Sequence, residues 1–126
     1  MSVKVTTQEV DGVSVVGLNG RIVLGEESVA LRETVKGLMA AGKKKVVLNM
    51  SNVTYIDSAG LGILVAAYVS AKTQGAVIRL CALGKKFREV LQITRLLTIF
   101  DVYDTQAAAI GSFLENNAST AVAGKQ

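Results

Sequence analysis

Tyr55-Ile56-Asp57-Ser58-Ala59-Gly60-Leu61-Gly62 marks the point where an apolar strand gives way to a helix, and it sets one hydroxyl between an acidic side chain and a glycine pair. Upstream, Val46-Val47-Leu48 reads as strand. Downstream, Leu61, Leu64, Val65 and Tyr68 recur at the three- and four-residue spacing of one helical face. Ser58 therefore falls at a helix start. Asp or Ser in such a place accepts a hydrogen bond from an otherwise unpaired backbone N–H, and the positive end of the macrodipole favours negative charge. A phosphoryl group on Ser58 suits both effects. Asp57 reads equally as the plain N-cap and as a residue that orients Ser58 or touches a partner, and the two roles are compatible. Gly60 and Gly62 are weak helix formers in an early turn, which points to close helix-to-sheet packing ahead of close approach by a partner backbone.

Outward from this junction the chain alternates strand and helix. Val3 to Gln8 and Val13 to Leu18 are rich in β-branched residues and flank Asp11-Gly12, a strong hairpin signal, so the chain opens with two antiparallel strands. Gly20-Arg21-Ile22-Val23-Leu24-Gly25 reads as a glycine-bounded loop. Glu26, Glu27 and Ser28 then open an amphipathic helix to about Ala41, with Leu31, Val35, Leu38 and Met39 inward and Arg32, Glu33 and Lys36 outward. Gly42 stops it, and Lys45 to Met50 is a strand apolar enough to be covered on both faces. The Ser58 helix ends near Gln74-Gly75, before a strand at Ala76 to Ala82. Lys85 to Ile93 is a third helix through Phe87, Val90 and Leu91, with Leu96-Leu97 as a turn or short extension. Ile99 to Tyr103 is a short strand or extended segment, and Asp104 or Thr105 caps a last helix from Gln106 to about Asn116, with Ala109, Ile110, Phe113 and Leu114 inward. The expected fold is α/β: one mixed sheet of about four to five strands with a parallel core, helices packed against it and an N-terminal antiparallel hairpin. Residues 1–116 form the domain, and 117–126 are too poor in apolar side chains to hold structure and read as a mobile tail.

Composition removes several function classes. The chain of 126 residues fits one domain, half its residues are hydrophobic, and it has one cysteine and no histidine. Histidine-dependent catalytic relays and the usual transition-metal ligand sets cannot be assembled from such a set. Cys81, within an apolar strand, reads as a buried thiol. The net charge of +4 is concentrated at Lys43-Lys44-Lys45 and at Lys85, Lys86 and Arg88. With so few aromatic residues, these read as solvated faces and not as a nucleic-acid platform. The longest apolar runs fall far short of the roughly 20 residues that a membrane span needs. Met1 to Thr6 lacks the order of a secretory signal, so a cytoplasmic location is expected. Tyr55 and Tyr68 read as core or rim aromatics.

With these residues in view, the chain resembles the STAS domain of sulfate transporters and anti-sigma factor antagonists, and among them the bacterial stand-alone anti-sigma factor antagonists. The resemblance rests on Asp57 to Gly62, on Leu18-Asn19-Gly20-Arg21-Ile22, on Val46-Val47-Leu48-Asn49, and on Leu91-Gln92-Ile93-Thr94-Arg95-Leu96-Leu97 followed by Phe100-Asp101-Val102-Tyr103. It covers residues 3 to 115. It implies that Ser58 is phosphorylated by a partner that is both serine kinase and anti-sigma factor, and that the unmodified chain binds this partner and frees the sigma factor. The kinase would bring ATP and magnesium, a phosphatase would reset the site, and this chain, which lacks a phosphate-binding loop of its own, would be a substrate needing no cofactor. Partner contacts are implied at Asp57, Ala59, Gly60, Leu61 and Gly62, with Arg21, Ile22 and Val23 in the neighbouring loop. Two positions depart from the pattern. Ala59 stands where many relatives carry a second hydroxyl, leaving Ser58 the single acceptor, and Val23 stands near a position that is commonly acidic.

A constitutive STAS subunit that anchors a larger transport or signalling complex, with Ser58 only a helix residue, is the alternative. A serine-nucleophile enzyme lacks a general base. The exposed edge of the N-terminal hairpin is compatible with a monomer or a weak dimer.

Overall fold

A two-residue turn starts the fold. Asp11 and Gly12 take φ of +52° and +81°, the doubly left-handed geometry whose twist matches that of the strands it joins. It connects β1 (Lys4–Val10) to β2 (Val13–Ile22), paired antiparallel from Val10 against Val13 to Lys4 against Asn19. There follow α1 (Glu26–Ala40), β3 (Lys45–Ile56), α2 (Ser58–Thr73), β4 (Val77–Cys81), α3 (Lys85–Ile93), β5 (Asp101–Tyr103) and α4 (Gln106–Ser119). The computed structural model describes residues 4–23, 26–95 and 99–119. Leu24 and Gly25 of the expected loop, the extension at Leu96-Leu97, and residues 120–126 of the expected tail lie outside them.

The sheet has the order β1-β2-β3-β4-β5, with β2 to β5 parallel. Because the strands advance in one direction, crossovers of one hand set α1, α2 and α3 on the same face. The main core confirms this: Val16, Leu18, Ile22, Val46, Leu48, Ile78 and Leu80 of the sheet meet Leu31 and Val35 of α1, Leu64 and Ala67 of α2, and Phe87 and Leu91 of α3. α4 covers the other face, where Ala109, Ile110 and Phe113 pack on Val13, Val15, Val47 and Cys81. The central strand β3 thus buries Val46 and Leu48 on one side and Val47 on the other, as its unbroken apolar run requires. Strand order never reverses, so no crevice opens between helices on opposite faces. Any site at the carboxyl edge of this sheet is therefore a surface or an open groove and not such a crevice.

Two strands are longer than expected. β2 continues through Asn19, Gly20 and Arg21 to Ile22, and β3 through Ser51 to Ile56, so Arg21 is a strand residue and not a loop residue. The extensions pair with each other through two register shifts, aided by Asn52 Nδ2 donating to Asn19 Oδ1 at 2.7 Å. α2 also sits differently from the expected face. Its buried line is Gly60, Leu64, Ala67 and Ala71, since small residues let the helix lie closest to the sheet, while Leu61, Val65 and Tyr68 flank this line half-buried. Tyr68 meets the Phe100 ring edge-on at 5.2 Å. α4 is capped by Thr105, whose Oγ1 accepts from Ala108 N at 3.0 Å, and it runs beyond the expected end near Asn116.

Beneath α4 lies Arg79, buried, with its guanidinium 4.2 Å from the Phe113 ring centroid and donating to Ser112 Oγ at 2.7 Å. Cys81 beside it is fully buried, and burial pushes its thiol up to about 11. The thiol therefore stays protonated and unreactive near neutral pH.

Candidate functional site

The four parallel strands β2 to β5 deliver their carboxyl ends to one edge of the sheet, and the end of β2 lies directly against the start of α2. Asp57 sits between them in extended conformation, φ −100° and ψ −179°. Backbone and side chain both fix it. Its N–H donates to the Ile22 carbonyl at 3.3 Å, its carbonyl accepts from Leu61 N at 2.9 Å, and its Oδ1 accepts from Gly60 N at 2.7 Å. Asp57 is therefore the N-cap of α2. Ser58 is the first helical residue, exposed, and among the described residues nothing holds its hydroxyl. The capping task and the free hydroxyl thus fall on separate side chains.

The two glycines of the segment have opposite surroundings. A Cβ on Gly60 would stand 2.1 Å from the Ile22 carbonyl oxygen, so close packing of α2 on β2 requires glycine there. A Cβ on Gly62 would meet nothing within 4 Å, so the fold makes no such demand at that position. Gly62 is exposed, and Ala59 and Leu61 are half-buried.

The residues expected from the end of β2 divide in the same way. Ile22, anticipated among the partner contacts, has 0% exposure; its side chain belongs to the main core and abuts Gly60 from beneath, and its carbonyl bonds Asp57 N–H. Gly60 is likewise buried and supports the site from below. Val23 is half-buried just past the strand end. Arg21 is exposed and stands opposite Tyr55 in the β2–β3 register, its guanidinium 5.6 Å from the Tyr55 ring centroid. Tyr55 is 53% exposed, a rim aromatic carrying a cation on the surface that leads to Ser58. The sequence gives no sign of that pairing, because it depends on the shift in register between β2 and β3.

Among the described residues, no group of histidine, cysteine or carboxylate side chains is placed to hold a metal ion, and no helix is long and apolar enough to cross a membrane. What the junction presents is an exposed hydroxyl at a helix start, next to the Asp57 cap and one helical turn before the exposed Gly62.

The model of the STAS domain matches residues 4–109. The chain belongs to the STAS domain family. A protein of Bordetella bronchiseptica named as a candidate anti-sigma factor antagonist, BtrV, is 32% identical over 111 residues, covering 87% of this chain and 94% of that one. A candidate anti-sigma factor antagonist of Thermotoga maritima superposes with a TM-score of 0.79 at 28% identity, over 86% of this chain and 92% of its own. The Bacillus cell-fate determinant SpoIIAA in its phosphorylated form shares the fold, with a TM-score of 0.70 at 17% identity over 87% and 99% of the two chains. The STAS fold expected from the sequence is the fold found, and the relatives place the chain among the anti-sigma factor antagonists.

Proposed function

We propose that this STAS domain is a phosphorylation-gated anti-sigma factor antagonist: unmodified, it binds an anti-sigma factor that is also a serine kinase and so releases the sigma factor, and a phosphoryl group on Ser58 ends that binding. The observation that carries the reading is the free, exposed Ser58 hydroxyl beside a cap already supplied by Asp57. A kinase meets no competing hydrogen bond there. Solved structures of the fold relative SpoIIAA in phosphorylated and unphosphorylated forms agree with a modification that leaves the fold standing.

The switch works through charge and size. Phosphorylation adds roughly −1.5 to −2 charge and three acceptor oxygens at a helix start whose dipole accepts anions, so the domain itself is not strained. The docking surface changes instead. A hydrated dianion next to the Asp57 carboxylate must be stripped of water or face like charge when a partner closes over it, whereas a bare hydroxyl packs at little cost. The kinase supplies ATP and magnesium, a phosphatase restores the hydroxyl, and this chain acts as binding module and substrate. Asp57, Ala59, Leu61, Gly62, Arg21 and Val23 form the contact surface around Ser58, and the missing acid at Val23 tunes which kinase it accepts. The cytoplasm is where such partners operate.

Incubation with the cognate anti-sigma factor kinase and Mg-ATP, followed by intact mass, tests the proposal. One phosphoryl adduct on the chain, absent from Ser58→Ala, is expected; no adduct would leave the constitutive STAS subunit as the better reading. Affinity gives a second check, with Ser58→Asp expected to bind the kinase far more weakly than Ser58→Ala.

A further inference from the structure

β3 outlasts its neighbour. It pairs with β4 only from Lys45 to Asn49, against Val77 to Cys81, and then continues to Ile56. Past Cys81 the chain turns aside through Ala82, at φ +60°, and enters α3 at Lys85. A groove of about 400 Å³ remains between the end of β3 and the first turn of α3. Its walls are apolar, formed by Val53 and Ile56 on one side and Phe87 and Val90 on the other. Tyr55, Lys85 and Lys86 line it as well, and no carboxylate does so among the described residues. Since Asp57 N–H points to β2, strand alternation turns the peptide groups of Ile56 toward the groove. The groove therefore borders Ile56, the residue that immediately precedes Asp57 and Ser58 in the chain.

Lys85 and Lys86 are poorly explained by the fold alone. They occupy the first turn of α3, where the macrodipole disfavours positive charge; the first turn has no acid, and the N-cap Gly84 has no side chain with which to bond. Among the described residues neither lysine has a carboxylate partner, whereas Arg88 one turn later lies 3.6 Å from Asp104. A local choice that costs stability without a compensating contact belongs at a site of use.

We infer that this groove takes an extended segment of the protein partner that docks at Ser58, with an apolar side chain seated between Ile56 and Phe87 and carboxylates set against Lys85 and Lys86. The identity of the partner rests on the function proposed above; the groove and its charge do not. Apolar walls with a cationic rim and no acid match an acidic, apolar peptide in both respects. A single aromatic at the rim is too little stacking surface for nucleic acid.

Two measurements decide it. The double variant Lys85→Glu/Lys86→Glu is expected to bind the unmodified anti-sigma factor kinase about tenfold more weakly, with reduced salt dependence. In single-turnover phosphorylation the concentration of chain needed for half-maximal rate should rise while the limiting rate stays put. Its thermal midpoint should be equal or higher, because glutamate suits a helix start, so weaker binding would not stem from unfolding. Unchanged affinity in this variant, with Ser58 still phosphorylated, would overturn the inference and leave the switch intact. Independently of any kinase, a capped pentapeptide alternating glutamate with valine and leucine is titrated into ¹⁵N-labelled chain. Salt-sensitive shifts of the Ile56, Lys85 and Lys86 amides are expected, and none from the same peptide with lysine for glutamate. Equal responses to both peptides, no response to the acidic one, or a response of these amides only to a thymidine oligonucleotide would sink the proposal.

Discussion

Gly60 and Gly62 stand two residues apart in one helical turn and answer to different masters. Gly60 touches the β2 backbone and is fixed by the fold, while Gly62 faces open space and is free of it. The same split runs through the whole junction: Gly60 and Ile22 form its inner half, Ser58, Gly62, Arg21 and Tyr55 its outer half, and the half-buried Asp57, which caps the helix, joins the two. Helical periodicity produces this within α2, where adjacent residues point about 100° apart, and strand alternation produces it at Arg21 and Ile22, so each short segment serves core and surface in turn. Stability and recognition can be altered separately in a stretch of only a few residues.

The largest test of that division is Gly60→Ala. A methyl group 2.1 Å from the Ile22 carbonyl oxygen cannot be relieved by a side-chain rotation, so a loss of about 3 kcal/mol is expected, read as a lower denaturant midpoint at unchanged slope. An unaltered midpoint would mean that α2 does not press on β2. Asp57→Ala comes next. Losing the cap on Gly60 N should cost about 1 kcal/mol, and Asp57→Asn, which still accepts that bond, should recover most of it. If both variants lose equally, the carboxylate charge and not the cap is what stabilises the helix start.

Gly62→Ala should move the other way, gaining about 0.5–1 kcal/mol because the helix no longer carries an unconstrained residue. A gain in midpoint accompanied by weaker kinase binding would locate a partner backbone over Gly62; a gain with unchanged binding would leave that glycine without a role in docking. The smallest stability effect is expected for Ser58→Ala, within about 0.5 kcal/mol as for other exposed positions, together with complete loss of the phosphoryl adduct. A drop well beyond this would show that Ser58 belongs to the inner half after all.

Much of this architecture is readable without coordinates. The Asp11-Gly12 hairpin, the amphipathic α1 with its Gly42 stop and the α3 boundaries follow from turn chemistry and periodicity acting locally. The asymmetry of the junction is not readable in the same way. Gly60 and Gly62 look identical in sequence because what separates them is the carbonyl of Ile22, more than thirty residues earlier and brought there only by sheet pairing. The true length of β3 is hidden for a related reason. Ser51, Asn52 and Thr54 are poor signals for a strand interior, and they hold strand geometry because β2 runs alongside and Asn19 bonds Asn52. Ile22 as a surface contact fails on the same point, since a loop reading leaves its side chain free to face outward and a strand reading sends it into the core. Arg79 is harder still. The packing of α4 across the second face of the sheet supplies a ring and a hydroxyl, and Asp101 of β5 a carboxylate 3.5 Å away, and these help a guanidinium to be buried.

The separation of the Asp57 cap from the Ser58 hydroxyl bears on how long a signal lasts. A modification that strengthens or weakens a domain also alters its exposure to proteases and chaperones, so that turnover edits the message. Under the proposed switch both forms of the chain should persist equally, and the memory of a past stimulus would be set by the rates of the kinase and phosphatase alone. Equal half-lives of modified and unmodified chain in a limited-proteolysis time course would bear this out; unequal ones would show that the cell reads the switch partly through protein loss.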